Sequence, residues 1–356
     1  MKKKYVKRDN RTKKKDKKYL IYKKYQNYIF KIIVNNILIF ILIFIYKYHD
    51  KYNNKYNEKY FFARPEYYER KILDEIKYRF KGKLIMNVNE FYFVNGLIRM
   101  FKPKKILEIG VCSGGMSAAI LNSIKDIKDA MLYSCDLEKK MYTDNEKDVG
   151  YIVKKNFPEL LNKWKLYTGN TTAAFIEEIQ GNIEFVFIDT AHVMPGEVLN
   201  IIEILPFLKD NAIIAFDDIN HHVNPKLIKI PFFHSCNNIL FSTLRGKKIM
   251  FNERNNTLFE FSKQGAVILQ KKQERYYFEY FFLLTNNWSY MPNQFELKII
   301  RELVKKYYSP YLLSIFDKAV EKNYYQLKEN GLLKKDYILY TFNIHRKNPF
   351  NNINLN

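Results

Sequence analysis

The sequence predicts an α/β protein: a doubly wound, mostly parallel sheet with helices on both faces, an N-terminal hydrophobic segment and a C-terminal helical extension. Three observations predict it. Short apolar runs recur, and most end in an acid: Ala130–Cys135 on Asp136, Ile183–Ile188 on Asp189, Ala212–Phe216 on Asp217-Asp218. Runs of this kind are strands buried on both faces. Helical patterns separate them, as parallel strands require. Finally, the run Ile106-Leu107-Glu108-Ile109 leads into Gly110-Val111-Cys112-Ser113-Gly114-Gly115 and then a helical stretch from Met116. That is a strand, a tight glycine turn and a helix whose first N–H groups face the turn.

Before this core come three segments of different character. Residues 1–27 are a lysine run with interleaved tyrosines, a block that cannot bury a core and is expected to be disordered. The chain carries 60 Lys+Arg against 37 Asp+Glu, net +23, and much of the excess lies in this tail. Such charge points to an acidic partner: anionic lipid, nucleic acid or a phosphorylated substrate. Residues 28–46 are the membrane-anchor candidate. Ile32 to Tyr46 is free of charge for about 15 residues, whereas a span takes roughly 20. Extending it past Lys31 to Tyr28, with tyrosines at both ends, brings it close; a buried core helix is the competing reading. A basic tail should stay cytoplasmic and so send the rest across the membrane, whereas a segment lying in the interface avoids that conflict. Residues 47–64 read as a polar linker. The three cysteines have no metal-ligand spacing and read as reduced residues of a cytosolic domain.

From residue 65 to 275 the pattern is that of one domain. Pro65–Phe80 and Asn89–Phe101 read as helices, the second stopped by Pro103. Strands follow at Ile106–Ile109, Ala130–Cys135, Trp164–Tyr167, Ile183–Ile188 and Ala212–Phe216, with a helix at Val198–Leu205. Lys248–Phe251 and Gly265–Leu269 supply the last, partly antiparallel strands, and His221 through Arg245 form an insertion over the site. Residues 276–356 begin aromatic and helical and read as an extension packing on the sheet edge, without chemistry of its own.

Glu108-x-Gly110-x-x-x-Gly114 is not the G-x-G-x-x-G of a dinucleotide site, because Cys112 stands where the second glycine belongs. It resembles the first motif of the class I S-adenosylmethionine (SAM) dependent methyltransferases. The stretch from Phe185-Val186-Phe187-Ile188-Asp189-Thr190-Ala191-His192 to Asp217-Asp218 is similar to bacterial O-methyltransferases of surface-polysaccharide and natural-product pathways. The resemblance covers about Asn89 to Gln270. It implies a Rossmann-like methyltransferase sheet and SAM as cofactor. Glu108, Gly110, Ser113 and Gly114 would lie against the methionine part of SAM and Asp136 at the ribose, with Glu138 in reserve. Asn170 would lie at the adenine unless it only caps the helix after it, and Asp189 at the pocket wall.

Acids from several strand ends converge on one sheet edge, and like charges so close call for a cation. Asp189, Asp217 and Asp218 match the ligand positions of metal-dependent relatives, so Mg²⁺ is expected there, against the reading that they only shape the pocket. His192 is the expected general base, titrating near neutrality, with His221 and His222 as alternates; it is otherwise a structural histidine. The resulting expectation is a metal-assisted O-methyltransferase for a sugar, glycan or other small hydroxyl acceptor, membrane-associated with its catalytic domain in the cytoplasm. Asp189-Thr190-Ala191-His192 is not the Asn-Pro-Pro-Tyr type motif that grips a flipped base, which argues against nucleic acid. RNA methylation and a tethered, non-catalytic binding protein remain the alternatives, and the oligomeric state is not legible.

Overall fold

The computed structural model describes residues 88–142, 144–220, 236–250 and 263–333. The basic tail, the apolar segment 28–46, the linker, the helix expected at Pro65–Phe80, His221 and His222 all lie outside the described residues. Among the described residues no helix is long and apolar enough to cross a membrane.

The chain enters through helix α1 (Val88–Phe101), which ends just before Pro103, as a residue without an amide hydrogen dictates. Strand β1 (Lys105–Ile109) follows, then α2 (Gly115–Ile124) and β2 (Met131–Asp136). Next come a short antiparallel hairpin, β3 (Lys140–Met141) and β4 (Asp144–Asp148), the single-turn α3 (Tyr151–Asn156), β5 (Trp164–Thr168), α4 (Ile176–Ile179) and β6 (Ile183–Ile188). The sheet is completed by α5 (Gly196–Ile204), β7 (Leu208–Phe216), α6 (Cys236–Thr243), β8 (Gly246–Met250) and β9 (Gly265–Leu269).

Seven strands form the main sheet in the order β5-β2-β1-β6-β7-β9-β8. The pairs from β5 through β7 are all parallel, and β9 runs antiparallel to both β7 and β8. This is the doubly wound, Rossmann-like sheet that the apolar runs predicted. Beside the expected strands the structure adds the β3–β4 hairpin. Its second strand, Asp-Asn-Glu-Lys-Asp, holds no apolar residue to betray it.

Alternation divides each strand between two faces. Leu107, Ile109, Val186, Ile188, Ile214 and Phe216 join a core with Val198, Ile201 and Ile202 of α5. The intervening Ile106, Glu108, Phe185, Phe187 and Ile213 turn to the other face, where Glu108 meets Ser117 of α2. Three further helices, α7 (Tyr277–Leu283), α8 (Gln294–Tyr307) and α9 (Pro310–Glu329), follow the sheet. Asn293 caps α8 by accepting from the Glu296 amide, and Ser309 with Pro310 starts α9. Tyr280, Phe281, Trp288, Val304, Tyr308 and Phe316 enter the same core as α5. The Tyr308 hydroxyl donates to the Ile202 carbonyl at 2.5 Å. The extension therefore packs on helix α5 and shares the core beneath it, rather than lying on a strand edge.

Candidate active site

Each central strand hands on one more ladder bond past its last residue. Gly110 N–H donates to the Cys135 carbonyl, Asp189 N–H to Ile109 and Asp217 N–H to Ile188, at 2.9, 2.9 and 3.1 Å. These bonds align Gly110, Asp189 and Asp217 along the carboxyl edge, where open α/β sheets bind their ligands. The strand order reverses between β1 and β6, so Gly110 and Asp189 stand side by side at the switch point. A Cβ on Gly110, whose φ is +88°, would lie 1.9 Å from the Asp189 carbonyl oxygen. Only glycine fits. Gly114, at φ +90°, is the N-cap of α2 and offers no side chain to that helix's first amides. Gly114 also packs on Gly150 and Val153, each about 3 Å from where its Cβ would stand. A valine there would disturb the fold, not the ligand alone.

Asp136 ends β2 as expected. Its Oδ2 accepts from the Val111 and Cys112 amides at 2.8 and 3.0 Å, and its Oδ1 from Glu138 N–H at 2.9 Å. The carboxylate thus fastens the glycine loop to the second strand. Ser113 is almost buried in that loop, and its carbonyl accepts from Ile152 at 3.1 Å. Asn170 lies at the end of β5, and its Oδ1 accepts from the Thr171 amide at 2.9 Å.

One strand over, charges gather. His192 Nε2 lies 3.3 Å from Asp189 Oδ1 and 3.4 Å from Asp218 Oδ2. Its Nδ1 lies 3.2 Å from the Asn237 amide nitrogen and 3.6 Å from Glu197 Oε1, which also accepts from the His192 backbone N–H at 2.5 Å. Lys263 Nζ faces the opposite side of the acids: Glu90 Oε1 at 2.7 Å, Asp218 Oδ1 at 3.4 Å and Asp217 Oδ2 at 3.5 Å. Both His192 and Asp218 adopt positive φ, +59° and +51°, a cost that tends to collect at functional sites.

Burial alone would keep the His192 ring neutral. The hydrogen bond to Asp189 and the charges of Asp218, Asp189 and Glu197 outweigh it and raise its pKa to about 10. The expected titration near neutrality gives way to a higher value, because Asp189 and Glu197 on the same stretch of chain and Asp218 at the next strand end favour the charged ring. Burial, then the charges of Asp218 and Asp189, push the Asp217 carboxyl well above the usual range, with Lys263 opposing. Lys263 is depressed by burial, but Asp217, Asp218 and Glu90 together raise it above its ordinary value, so it stays an ammonium.

Residues 107–219 match the sequence model of a family described as a methyltransferase domain. The match spans under half of the chain and points to a methyltransferase domain there. No curated protein matches the chain. Among solved structures, the O-methyltransferase TomG from Streptomyces achromogenes, involved in tomaymycin synthesis and in complex with SAM, is similar at 10% identity. That match covers 56% of this chain and 89% of TomG, with a TM-score of 0.41. A methyltransferase from Podospora anserina bound to S-adenosylhomocysteine is 19% identical over 62% of this chain and 95% of its own, at 0.42. A putative O-methyltransferase from Klebsiella pneumoniae is 14% identical over 62% and 96%, at 0.41.

Within the matched stretch, Glu108 departs from expectation. Its carboxylate is fully buried behind the loop, and Oε2 accepts from Ser117 and Ser134, each at 2.6 Å. It braces β1, β2 and α2 and presents no atom to the cleft. Burial raises its pKa to about 7 despite those two bonds. The expected magnesium ligands Asp189, Asp217 and Asp218 do come together, yet the described residues hold no group of His, Cys, Asp and Glu arranged for a metal ion. The cations among them are the imidazolium and the ammonium. The residue set does not fit a divalent ion as it stands.

Lys263, Glu90, Glu197 and Asn237 are site residues that sequence reasoning missed. The sheet register is what reveals Lys263. The β7–β9 register pairs Phe216 with Gly265, and continuing it two residues sets Lys263 across from Asp218, where Ile219 N–H donates to the Lys263 carbonyl at 2.9 Å. Asn237, on α6, donates to the Asp217 carbonyl at 2.6 Å, so part of the expected insertion does reach the site. The hairpin residue Tyr142, still 38% exposed, has its hydroxyl pushed above the usual tyrosine range by partial burial and then by the charges of Cys112 and Asp189.

Proposed function

We propose that the chain is an O-methyltransferase that moves a methyl group from SAM to the hydroxyl of a small molecule, a sugar or glycan among the candidates. The observation that carries the proposal is the glycine loop at the switch point, with Asp136 beneath it and a buried cluster of charges beside it. SAM supplies a methyl group made electrophilic by its sulfonium. Everything else falls to the chain. Gly110 and Gly114 bend the backbone away from the ligand's place, and the uncapped first turn of α2 offers N–H groups suited to a carboxylate. Asp136 would accept from ribose hydroxyls and Asn170 would face the adenine. Ser113 would line the loop.

The acceptor's hydroxyl proton has to leave as its oxygen attacks. The group Asp189–His192–Asp218 would hold that proton, with the ring nitrogen Nε2 between two carboxylate oxygens. His192 would act from its neutral form, so the neighbouring acids set the pH at which it works. In that neutral form Nδ1 can accept from the Asn237 amide, and Glu197 Oε1 stands 3.6 Å from the same nitrogen. The basic tail and the apolar segment 28–46 support attachment to an anionic membrane surface, and co-sedimentation of the full-length chain with anionic vesicles would test that.

Calorimetric titration of SAM into the full-length chain tests the central claim. One equivalent of binding heat is expected. A folded chain that takes up no SAM would end the proposal.

A further inference from the structure

We infer that Lys263 is the resident cation of the acidic cluster, standing where a divalent metal would otherwise be needed, so that the site is complete without one. One ammonium reaches three carboxylates drawn from distant parts of the chain: Glu90 of α1 at 2.7 Å, Asp218 at 3.4 Å and Asp217 at 3.5 Å. Its position is fixed by the sheet, because Lys263 stands opposite Asp218 in the continued β7–β9 ladder and its carbonyl accepts from Ile219. The Lys263 side chain keeps 37% of its surface exposed, but its partners Glu90 and Asp217 are nearly wholly buried, and buried carboxylates demand a fixed countercharge.

A lysine in this position also excludes a competitor. An ammonium among three carboxylates holds the space and the charge that Mg²⁺ or Mn²⁺ would require, since hard cations bind through oxygen ligands. Behind it a donor set stands ready. Asp217 Oδ1 is buried with no hydrogen-bond partner among the described residues. Removing the ammonium should therefore do more than weaken the site. It should turn a lysine-filled cluster into one that takes up a divalent ion. The inference bears on the methyltransferase reading only through its consequence, that methyl transfer proceeds in the absence of divalent metal.

The test is Mn²⁺ titration of the full-length chain, followed by the electron paramagnetic resonance signal of free Mn²⁺, with neither SAM nor acceptor present. Wild type should show no saturable site, and Lys263→Arg, which keeps the charge, should match it. Lys263→Met should bind Mn²⁺ at least about tenfold more tightly than wild type, and Asp217→Asn in that background should remove the gain. A stoichiometric Mn²⁺ site in wild type that Asp217→Asn abolishes would overturn the inference. So would a folded Lys263→Met chain that binds Mn²⁺ no better than wild type. If Lys263→Met does not fold, the wild-type titration decides alone, supported by an unchanged melting temperature in EDTA and in excess Mn²⁺. SAM calorimetry on the same wild-type sample is scored separately, so failure of the methyltransferase reading and failure of the lysine reading cannot be confused.

Discussion

Replacing Glu108 with glutamine should flatten the pH dependence of stability. The carboxyl is wholly buried, and burial lifts its pKa from the usual 4.5 to about 7 against the pull of two serine hydroxyls. In the unfolded chain Glu108 releases its proton near pH 4.5, whereas in the folded chain it keeps it until about pH 7. Between those values the folded state binds more protons, so stability falls as pH rises. The contribution is fully present below pH 4.5 and lost above about 7. At about 1.4 kcal/mol per pH unit, the loss across that window is about 3 kcal/mol, a large share of the roughly 5–15 kcal/mol of a typical domain. Glutamine mimics the protonated acid: its carbonyl oxygen can accept from Ser117 and Ser134, and it never ionises. Urea unfolding at pH 5, 6, 7 and 8, followed by circular dichroism, should show wild type losing stability relative to Glu108→Gln. Glu203, also buried and raised to about 7, contributes equally to both proteins and cancels in the difference. Parallel curves, with a constant gap between the two proteins, would refute a buried, protonated Glu108.

Gly110→Ala should lose about 2–4 kcal/mol and SAM binding with it, since its Cβ would meet the Asp189 carbonyl at 1.9 Å on a left-handed backbone. Gly96→Ala is the control: a Cβ there meets nothing within 4 Å, so the helix should gain about 0.5–1 kcal/mol in the same melts. With Asp218→Asn, one of the charges that raise His192 is gone, and the alkaline approach of methyl transfer to its maximum should move down by about one pH unit. A pH profile unchanged by that substitution would remove His192 from the proton transfer.

The strands were legible because parallel strands buried on both faces must be largely apolar, and Ile183–Ile188 and Ile106–Ile109 are so apart from Glu184 and Glu108. The glycine turn was legible because Gly110 and Gly114 satisfy backbone needs that no other residue meets. What escaped was long-range. Glu108 stands in the expected place, but nothing local reveals that Ser117 and Ser134 face it from a helix and a second strand. His192 was identified together with Asp189, while the part played by Glu197 and the approach of Asp218 from the next strand end needed the fold. Lys263 has no motif around it, and its meaning appears only once β9 is laid antiparallel on β7. The hairpin at Lys140–Asp148 was invisible for a simpler reason, being polar almost throughout.

The bond from Tyr308 to the Ile202 carbonyl links residues 106 positions apart, and this has a consequence for synthesis. On a ribosome adding roughly 5–20 residues per second, helix α5 emerges about 5–20 s before the aromatic side chains that cover it. For that interval Ile201, Ile202 and their neighbours are an exposed apolar face on a nascent chain. The core shared by α5 and these helices therefore cannot close as the sheet is made. It waits for the last helices, and the newborn protein depends on whatever keeps that face from meeting another chain.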